Sequence, residues 1–330
     1  MSRLISHSEA AVLLDCQAKH DFQYNDQLAG SSLKPLTKHA RLREGKAWGR
    51  AMAAYHTDLG GPTPQQEIIT SLAEDAAEMM IEPEELDEMR TRIVAMFEQY
   101  ASECDSLLVD QTELELDVQI PSRGGKRASN LYRFTGFIDA VKREKAGDWL
   151  TEFKLRGQLS SLEQVAFMRQ IRWYAWGYQQ QTGRPVAGVI VDERLNAVPK
   201  PARILESGKL SHAKDQLTTA GMYAQACREF GVEPKPETLE SLAARRWQER
   251  HTLFLSESEI AEAGQQLTSV ANLAGQFDSG LLFPVRNPSQ FRCPGCAFRD
   301  ICNTPGDIDL VDALYERVPT KKDRGAEVAA

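Results

Sequence analysis

The alternation of apolar and polar positions divides this chain into a helical first third, a central run of strands, and a helical remainder that closes on a cysteine-rich segment. Ser6-His7-Ser8-Glu9 has the form of a capping box with Ser6 as N-cap, and predicts a first helix through Ala18 that carries Cys16 on its last turn. Asp21-Phe22-Gln23-Tyr24 then leaves the helix. A helical pattern resumes near Leu42, and residues 63–103 read as two amphipathic helices joined near Glu82-Pro83-Glu84, with Pro83 in a first-turn position. At about Leu107 the period changes. Glu113-Leu114-Glu115-Leu116-Asp117-Val118-Gln119-Ile120 alternates as a strand with one carboxylate-rich face, and a loop over 121–127 breaks it. Two more strands, 132–141 and 149–155, flank a turn at Lys145-Ala146-Gly147. A helix over 162–181 ends at Gly183-Arg184-Pro185, and 186–191 is a short apolar strand of the buried kind. Three strands, a helix and a strand in that order indicate a mixed α/β sheet with a crossover helix. Helices follow at 209–231 and 236–247, then a strand at 251–255 and a helix over 256–277. The small polar residues 319–330 are expected to be disordered.

With 330 residues, 42% of them apolar and 26% charged, the chain can fill one large domain with accessory pieces. The expected organisation is a helical part over 1–105, a core with a helical insertion over 106–282, a cysteine segment over 283–318 and the tail. The opening residues lack the apolar run of a signal peptide and no later stretch approaches a membrane span, so a cytoplasmic location is expected. A reducing compartment disfavours disulfides and favours metal thiolates for the cysteines. The net charge of −8 argues against non-specific coating of nucleic acid. Local basic stretches stand out against it: Lys34, Lys38, Arg41, Arg43, Lys46 and Arg50 against one Glu, and Arg123, Lys126 and Arg127 in the loop. By base rate both are surface charge; beside a nuclease site they would line a groove that tracks a phosphate backbone.

Candidate chemistry gathers at two places. In a strand, residues two apart share a face, so Glu152 and Lys154 project to one side. If the hairpin turn is centred between Lys145 and Ala146, Asp139 falls opposite Glu152; a turn centred on Ala146 would oppose it to Phe153. Two facing carboxylates repel unless a cation binds between them, and oxygen ligands suit Mg²⁺ or Mn²⁺. Lys154 would then stabilise charge on a phosphate, which suits phosphodiester hydrolysis. The bland alternative is a polar hairpin face with ordinary salt bridges. The second place is Cys293, Cys296 and Cys302, spaced C-x2-C-x5-C, with Pro294-Gly295 as a tight turn. These three need a fourth thiolate for either a tetrahedral Zn²⁺ or a cubane iron–sulfur cluster, and Cys16 is the best-placed candidate. Cys104 and Cys227 read as buried small hydrophobes.

Gly136-Phe137-Ile138-Asp139, then Thr151-Glu152-Phe153-Lys154, then Gln170-Ile171-Arg172-Trp173-Tyr174, taken in order, resemble the RecB-type branch of the PD-(D/E)XK nuclease superfamily. The Ser8, Cys16, Phe22 and Tyr24 opening and the Phe283-Pro284 to Cys302 ending look like its iron–sulfur subgroup, which includes the AddB nuclease domain and the CRISPR adaptation nucleases. The resemblance implies a restriction-endonuclease-like core, metal ligation by Asp139, Glu152 and the Phe153 carbonyl, a catalytic Lys154, and a [4Fe–4S] cluster on the four cysteines, with structural Zn²⁺ as the alternative. Gln170 and Tyr174 would support the site or contact DNA, and Arg172 could touch phosphate, although core packing and surface charge explain most of that helix. One departure stands out: where family members carry a metal-binding histidine, Gly45-Lys46-Ala47-Trp48-Gly49 ends in glycine, and His56 on the same helical face is the nearest substitute.

The expected activity is a Mg²⁺- or Mn²⁺-dependent DNA exonuclease at single-stranded ends, in recombination, repair or phage DNA metabolism. No helicase motif is present, so a helicase or recombination partner would be another chain. The rival reading is an iron–sulfur DNA-binding or adaptor subunit with weak or no catalysis, which the missing histidine favours. RNA as substrate stays open, since nothing reads a 2′-hydroxyl.

Overall fold

The computed structural model describes residues 2–36, 40–57, 60–78, 81–122 and 128–320. The chain opens with strand β1 (Arg3–Ser6), helices α1 (His7–Asp15) and α2 (Gln17–Tyr24) and strand β2 (Ser32–Pro35). Helices α3 (Ala40–His56), α4 (Pro64–Glu78) and α5 (Pro83–Glu103) follow. The central segment is β3 (Gln111–Pro121), β4 (Ala128–Lys142), β5 (Asp148–Arg156), α6 (Leu162–Ala166), α7 (Arg169–Thr182) and β6 (Val186–Leu195). It continues through α8 (Ala220–Glu229), α9 (Pro236–Ala243), β7 (Gln248–Leu253) and α10 (Glu257–Asp278) to α11 (Ile308–Leu314) and β8 (Tyr315–Val318).

The sheet is mixed. β3 runs antiparallel along nearly the whole of β4, so β1 and β5 must share β4's other edge. β1 is parallel to it at Tyr132–Thr135, and β5 antiparallel at Ala140–Lys142. β6 lies parallel to β5 through the α6–α7 crossover, and β7 closes the far edge antiparallel to β6. The alternation of β3 does as its pattern requires: Leu116, Val118 and Ile120 are buried, and the carboxylates face out. Its free edge is blunted by Gln181, which accepts from the Asp117 N–H at 2.9 Å and donates to the Glu115 carbonyl at 2.8 Å.

Each face of the sheet has its own core. Trp173, Trp176, Tyr178 and Ile171 of α7, with Leu267 and Ala271 of α10, pack on Leu116, Phe134 and Leu150. The opposite face buries Ala140 and Phe153 under Trp48 and Met52 of α3 and Ile93, Phe97 and Tyr100 of α5. A smaller cluster joins the chain ends: Phe22 stacks on Phe298 and Phe298 on Tyr315, with centroids 5.7 and 5.4 Å apart, and β2 pairs with β8. Burying such a ring contributes about 1.5–3 kcal/mol.

Several expected boundaries move. The first helix breaks at Cys16, whose extended backbone (φ −158°) caps α1 and starts α2, so 17–24 stay helical. The capping box is half formed. Ser6 Oγ accepts from the Glu9 N–H, but the buried Glu9 carboxylate goes to Arg3 and His20 instead, because a buried carboxylate is stabilised far more by a guanidinium than by one N–H. The expected 162–181 helix is broken at Phe167-Met168, and residues 209–219 lie outside any helix. Only 319–320 of the expected tail lie among the described residues.

Candidate active site

The β4–β5 ladder pairs Ala140 with Thr151, Val141 with Leu150 and Lys142 with Trp149, then stops. This is the register with the turn centred between Lys145 and Ala146, and one further step would oppose Asp139 to Glu152. The strands part there instead. The Phe153 N–H, lost to the ladder, donates to Asp139 Oδ2 at 2.7 Å. Glu152 is buried, and its Oε1 accepts from Gln170 Nε2 at 2.7 Å and from Lys154 Nζ. Burial first, and the Glu152 charge second, push the Asp139 carboxyl well above its ordinary range, with Lys154 and the Phe153 N–H pulling the other way. The site therefore holds more negative charge than its single lysine offsets.

Gln170 is the second residue of α7, and Tyr174 stands one turn further along the same face. Gly136 on β4 has the tyrosine ring against it: a Cβ there would lie 2.9 Å from Tyr174 Cε1 and 3.0 Å from its hydroxyl. Burial first and the Glu152 charge next raise the pKa of that hydroxyl, with the Gln170 side chain and the Phe137 N–H beside it pulling the other way. The glycine of the Gly136-to-Asp139 stretch is thus what lets the tyrosine reach the bend where Asp139 leaves the ladder.

Two residues join the site that the sequence analysis did not assign to it. His7, first residue of α1, has its ring 5.6 Å from Trp173 and 6.2 Å from Tyr174, and burial, then Lys154 and Arg169, lower its pKa to about 4. Nothing local in the sequence signals this; the placement comes from β1 docking beside β4. Glu113 sits on β3 between the pairs Thr112–Ala140 and Leu114–Ile138, level with Asp139, in a left-handed backbone conformation (φ 49°), and its charge also raises Asp139. Its signal was the alternation of carboxylates on that strand.

His56 is placed differently from the expectation. It is fully buried, its ring stacks on Phe153 at 5.0 Å, and both nitrogens are engaged. Tyr100 donates its hydroxyl proton to Asp192 Oδ2 at 2.7 Å, so its oxygen accepts from His56 Nε2 at 3.0 Å and from Arg250 at 3.0 Å. His56 Nδ1 accepts from the Leu107 N–H at 3.0 Å. The ring is neutral with no free lone pair, and burial followed by Arg250 lowers its pKa to about 3. A Cβ at Gly49, where the family's histidine would stand, meets nothing within 4 Å.

Most of the described members of the basic run stand in ion pairs. Arg43 bonds Glu85, Lys46 reaches Glu74 and Asp75, Arg50 bonds Glu74, and Lys34 faces Glu316. The physical reason is the acidic faces of α4 and α5, which pack beside α3. Lys38 and the loop residues Arg123, Lys126 and Arg127 lie outside the described residues. Arg172 of α7 is taken up by neighbouring helices, donating to the Ala166 carbonyl at the end of α6 and pairing with Glu259 of α10 at 3.3 Å.

Cys16, Cys293, Cys296 and Cys302 line one cavity of about 320 Å³ with Lys19, Arg286 and Arg299. The Ser289 N–H donates to Cys293 Sγ at 3.2 Å. Burial raises the Cys302 thiol, with the Arg286 side chain lowering it. Four sulfur donors with N–H and guanidinium groups around them fit a thiolate-ligated centre in chemistry. Among the described residues no three His, Cys, Asp or Glu side chains already stand together as a metal site, at these cysteines or elsewhere. Cys227 is buried and Cys104 half-buried, each away from this cavity. No helix among the described residues is long and apolar enough to cross a membrane.

A mixed sheet that presents two carboxylates and a lysine where adjacent strands part is the arrangement of a metal-dependent nuclease. The chain matches the PD-(D/E)XK nuclease superfamily over residues 4–303 and belongs to it. With that membership come nuclease chemistry, a divalent cation such as Mg²⁺ or Mn²⁺, and DNA as the substrate class. No curated protein matches the sequence. Among solved structures, one described as "Crystal structure of SSO0001" is similar at 13% identity and a TM-score of 0.30, over 78% of this chain and 85% of that one, too loose a superposition to carry weight.

Proposed function

We propose that this chain is a Mg²⁺- or Mn²⁺-dependent DNA exonuclease that hydrolyses phosphodiester bonds at single-stranded ends, in recombination, repair or phage DNA metabolism. The observation that carries the reading is the parting of β4 from β5 at Asp139 and Glu152, which leaves two carboxylates and Lys154 around one point. Asp139, Glu152 and the Phe153 carbonyl would hold the cation, whose charge would offset the burial and the Glu152 repulsion that raise Asp139. When bound, a divalent cation supplies charge neutralisation at the phosphate and lowers the pKa of a water. The chain's own groups do the rest. Lys154, which bonds Glu152 here, would stabilise negative charge developing on the scissile phosphate. Gln170 holds the Glu152 carboxylate, and the Tyr174 ring packs against Gly136 three residues before Asp139.

The same proposal places a [4Fe–4S] cluster, with structural Zn²⁺ as the alternative, on Cys16, Cys293, Cys296 and Cys302, where it would reinforce the ring stack that already joins the chain ends. The second reading, a DNA-binding or adaptor subunit with weak catalysis, is favoured by Gly49 and by the engaged nitrogens of His56. Manganese-dependent release of nucleotides from end-labelled single-stranded DNA separates the two. Activity that disappears in Asp139→Ala while oligonucleotide binding stays within a few-fold supports the nuclease; binding without any wild-type hydrolysis supports the adaptor.

A further inference from the structure

The crossover between β5 and β6 contains a break that no turn residue in the sequence calls for. α6 ends at Phe167 (φ −89°, ψ −1°) and α7 starts after the extended Met168 (ψ 116°), within the apolar stretch Val165-Ala166-Phe167-Met168. All four are acceptable helix formers, so one continuous helix would lose nothing in local propensity. Two arginines brace the break: Arg172 donates to the Ala166 carbonyl, and Arg156 reaches Met168 Sδ at 3.8 Å. The consequence is a Phe167 side chain 84% exposed, two residues from a fully buried Val165. Isolated exposed apolar residues are ordinary, but this one is held in a braced, defined backbone and not on a loose loop.

Its neighbours decide what it suits. Arg169 is exposed and makes no ion pair with any described residue, and its charge, like that of Lys154, reaches His7. Gln170, next along, holds Glu152. Phe167, Arg169 and Trp173 lie along a groove of about 690 Å³ between α7 and α10, apolar toward Leu273 and Val270, with Glu259, paired to Arg172, and Glu262, bonded by Gln266, on its α10 side. An aromatic face and an unpaired guanidinium beside a phosphodiester-cleaving centre match an unpaired nucleotide: the ring takes the base, and the cation takes the phosphate.

We propose that Phe167 is a stacking platform for a nucleobase next to the scissile phosphate, with Arg169 on the adjoining phosphate, so that the enzyme requires an unstacked single strand. Paired bases keep both faces stacked in the duplex and cannot use the ring without being flipped. The inference rests on the nuclease reading above. Since one base–aromatic contact commonly changes affinity by about tenfold, the loss of the ring should be measurable in both binding and cleavage.

The test uses the full chain with single-stranded oligonucleotides carrying 2-aminopurine, or an abasic residue, at each position flanking the cleaved bond in turn. The expected result is 2-aminopurine quenching at one position that is lost in Phe167→Ala and kept in Phe167→Tyr. At that position, the abasic substrate and Phe167→Ala should each lower kcat/KM about tenfold, and together no further. Equal losses on intact and abasic substrates would show a merely structural role and overturn the platform. Wild-type quenching unchanged in Phe167→Ala would overturn it while leaving the nuclease reading intact. Absence of any oligonucleotide binding or cleavage by the wild type would remove the nuclease reading and the platform together.

Discussion

His56 offers the sharpest check on how the site is built, because in metal-free protein its role as a buried hydrogen-bond link has a pH signature that an unoccupied metal ligand beside carboxylates would lack. Its pKa is about 3 in the folded chain against 6.5 for a free imidazole, through burial and the nearby Arg250. Above the free value both folded and unfolded chains carry neutral imidazole, and the group contributes nothing to pH dependence. Below it the unfolded chain takes up a proton that the folded chain refuses, so stability falls with falling pH by about 1.4 kcal/mol per unit. Between about pH 6.5 and pH 5 the loss from His56 is about 2 kcal/mol, and His7, lowered to about 4 for similar reasons, adds to the slope in the same direction. The assay is urea unfolding of wild type and His56→Gln across that window. The variant starts less stable, by about 1–3 kcal/mol for the disturbed network with Tyr100 and Asp192, but its pH slope should be shallower by close to one proton. Manganese-dependent cleavage, measured where both proteins are folded, should persist in His56→Gln. An unchanged slope, or a cleavage loss rescued by raising the manganese concentration, would refute the argument and return His56 to the metal.

Other outcomes follow from the same contacts. Gly136→Ala places a Cβ 2.9 Å from Tyr174, so it should cost about 1–3 kcal/mol in thermal or urea unfolding and lower cleavage, and Tyr174→Leu in the same chain should recover part of the stability. Glu152→Gln should abolish cleavage with binding held within a few-fold, and Lys154→Ala should abolish cleavage while isothermal titration still detects Mn²⁺; an active Glu152→Gln protein would sink the site. Anaerobically purified protein should be brown and contain iron, Cys16→Ala alone should bleach it, and Cys104→Ala and Cys227→Ala should not; a colourless protein with stoichiometric zinc would replace the cluster by the alternative.

The sequence by itself determined whatever depends on neighbours along the chain. The alternation in 113–120 decided which side of β3 is buried, and Gly183 in its left-handed conformation (φ 68°) ended α7, whereas the turn at Lys145-Ala146-Gly147 allowed two registers, of which the fold adopts the one centred between Lys145 and Ala146. Those signals are local because strand faces and turn geometry are local. Tertiary structure alone decided the rest. It took the Glu9 carboxylate from its cap to Arg3, tied up Arg43, Lys46 and Arg50 with acids of α4 and α5, and carried His7 to the site by docking β1 against β4. It also satisfied both nitrogens of His56 through Tyr100 and Leu107, more than forty residues away in sequence. A buried polar group must find its partner wherever packing supplies one, and a linear pattern of residues carries no record of which distant partner that will be.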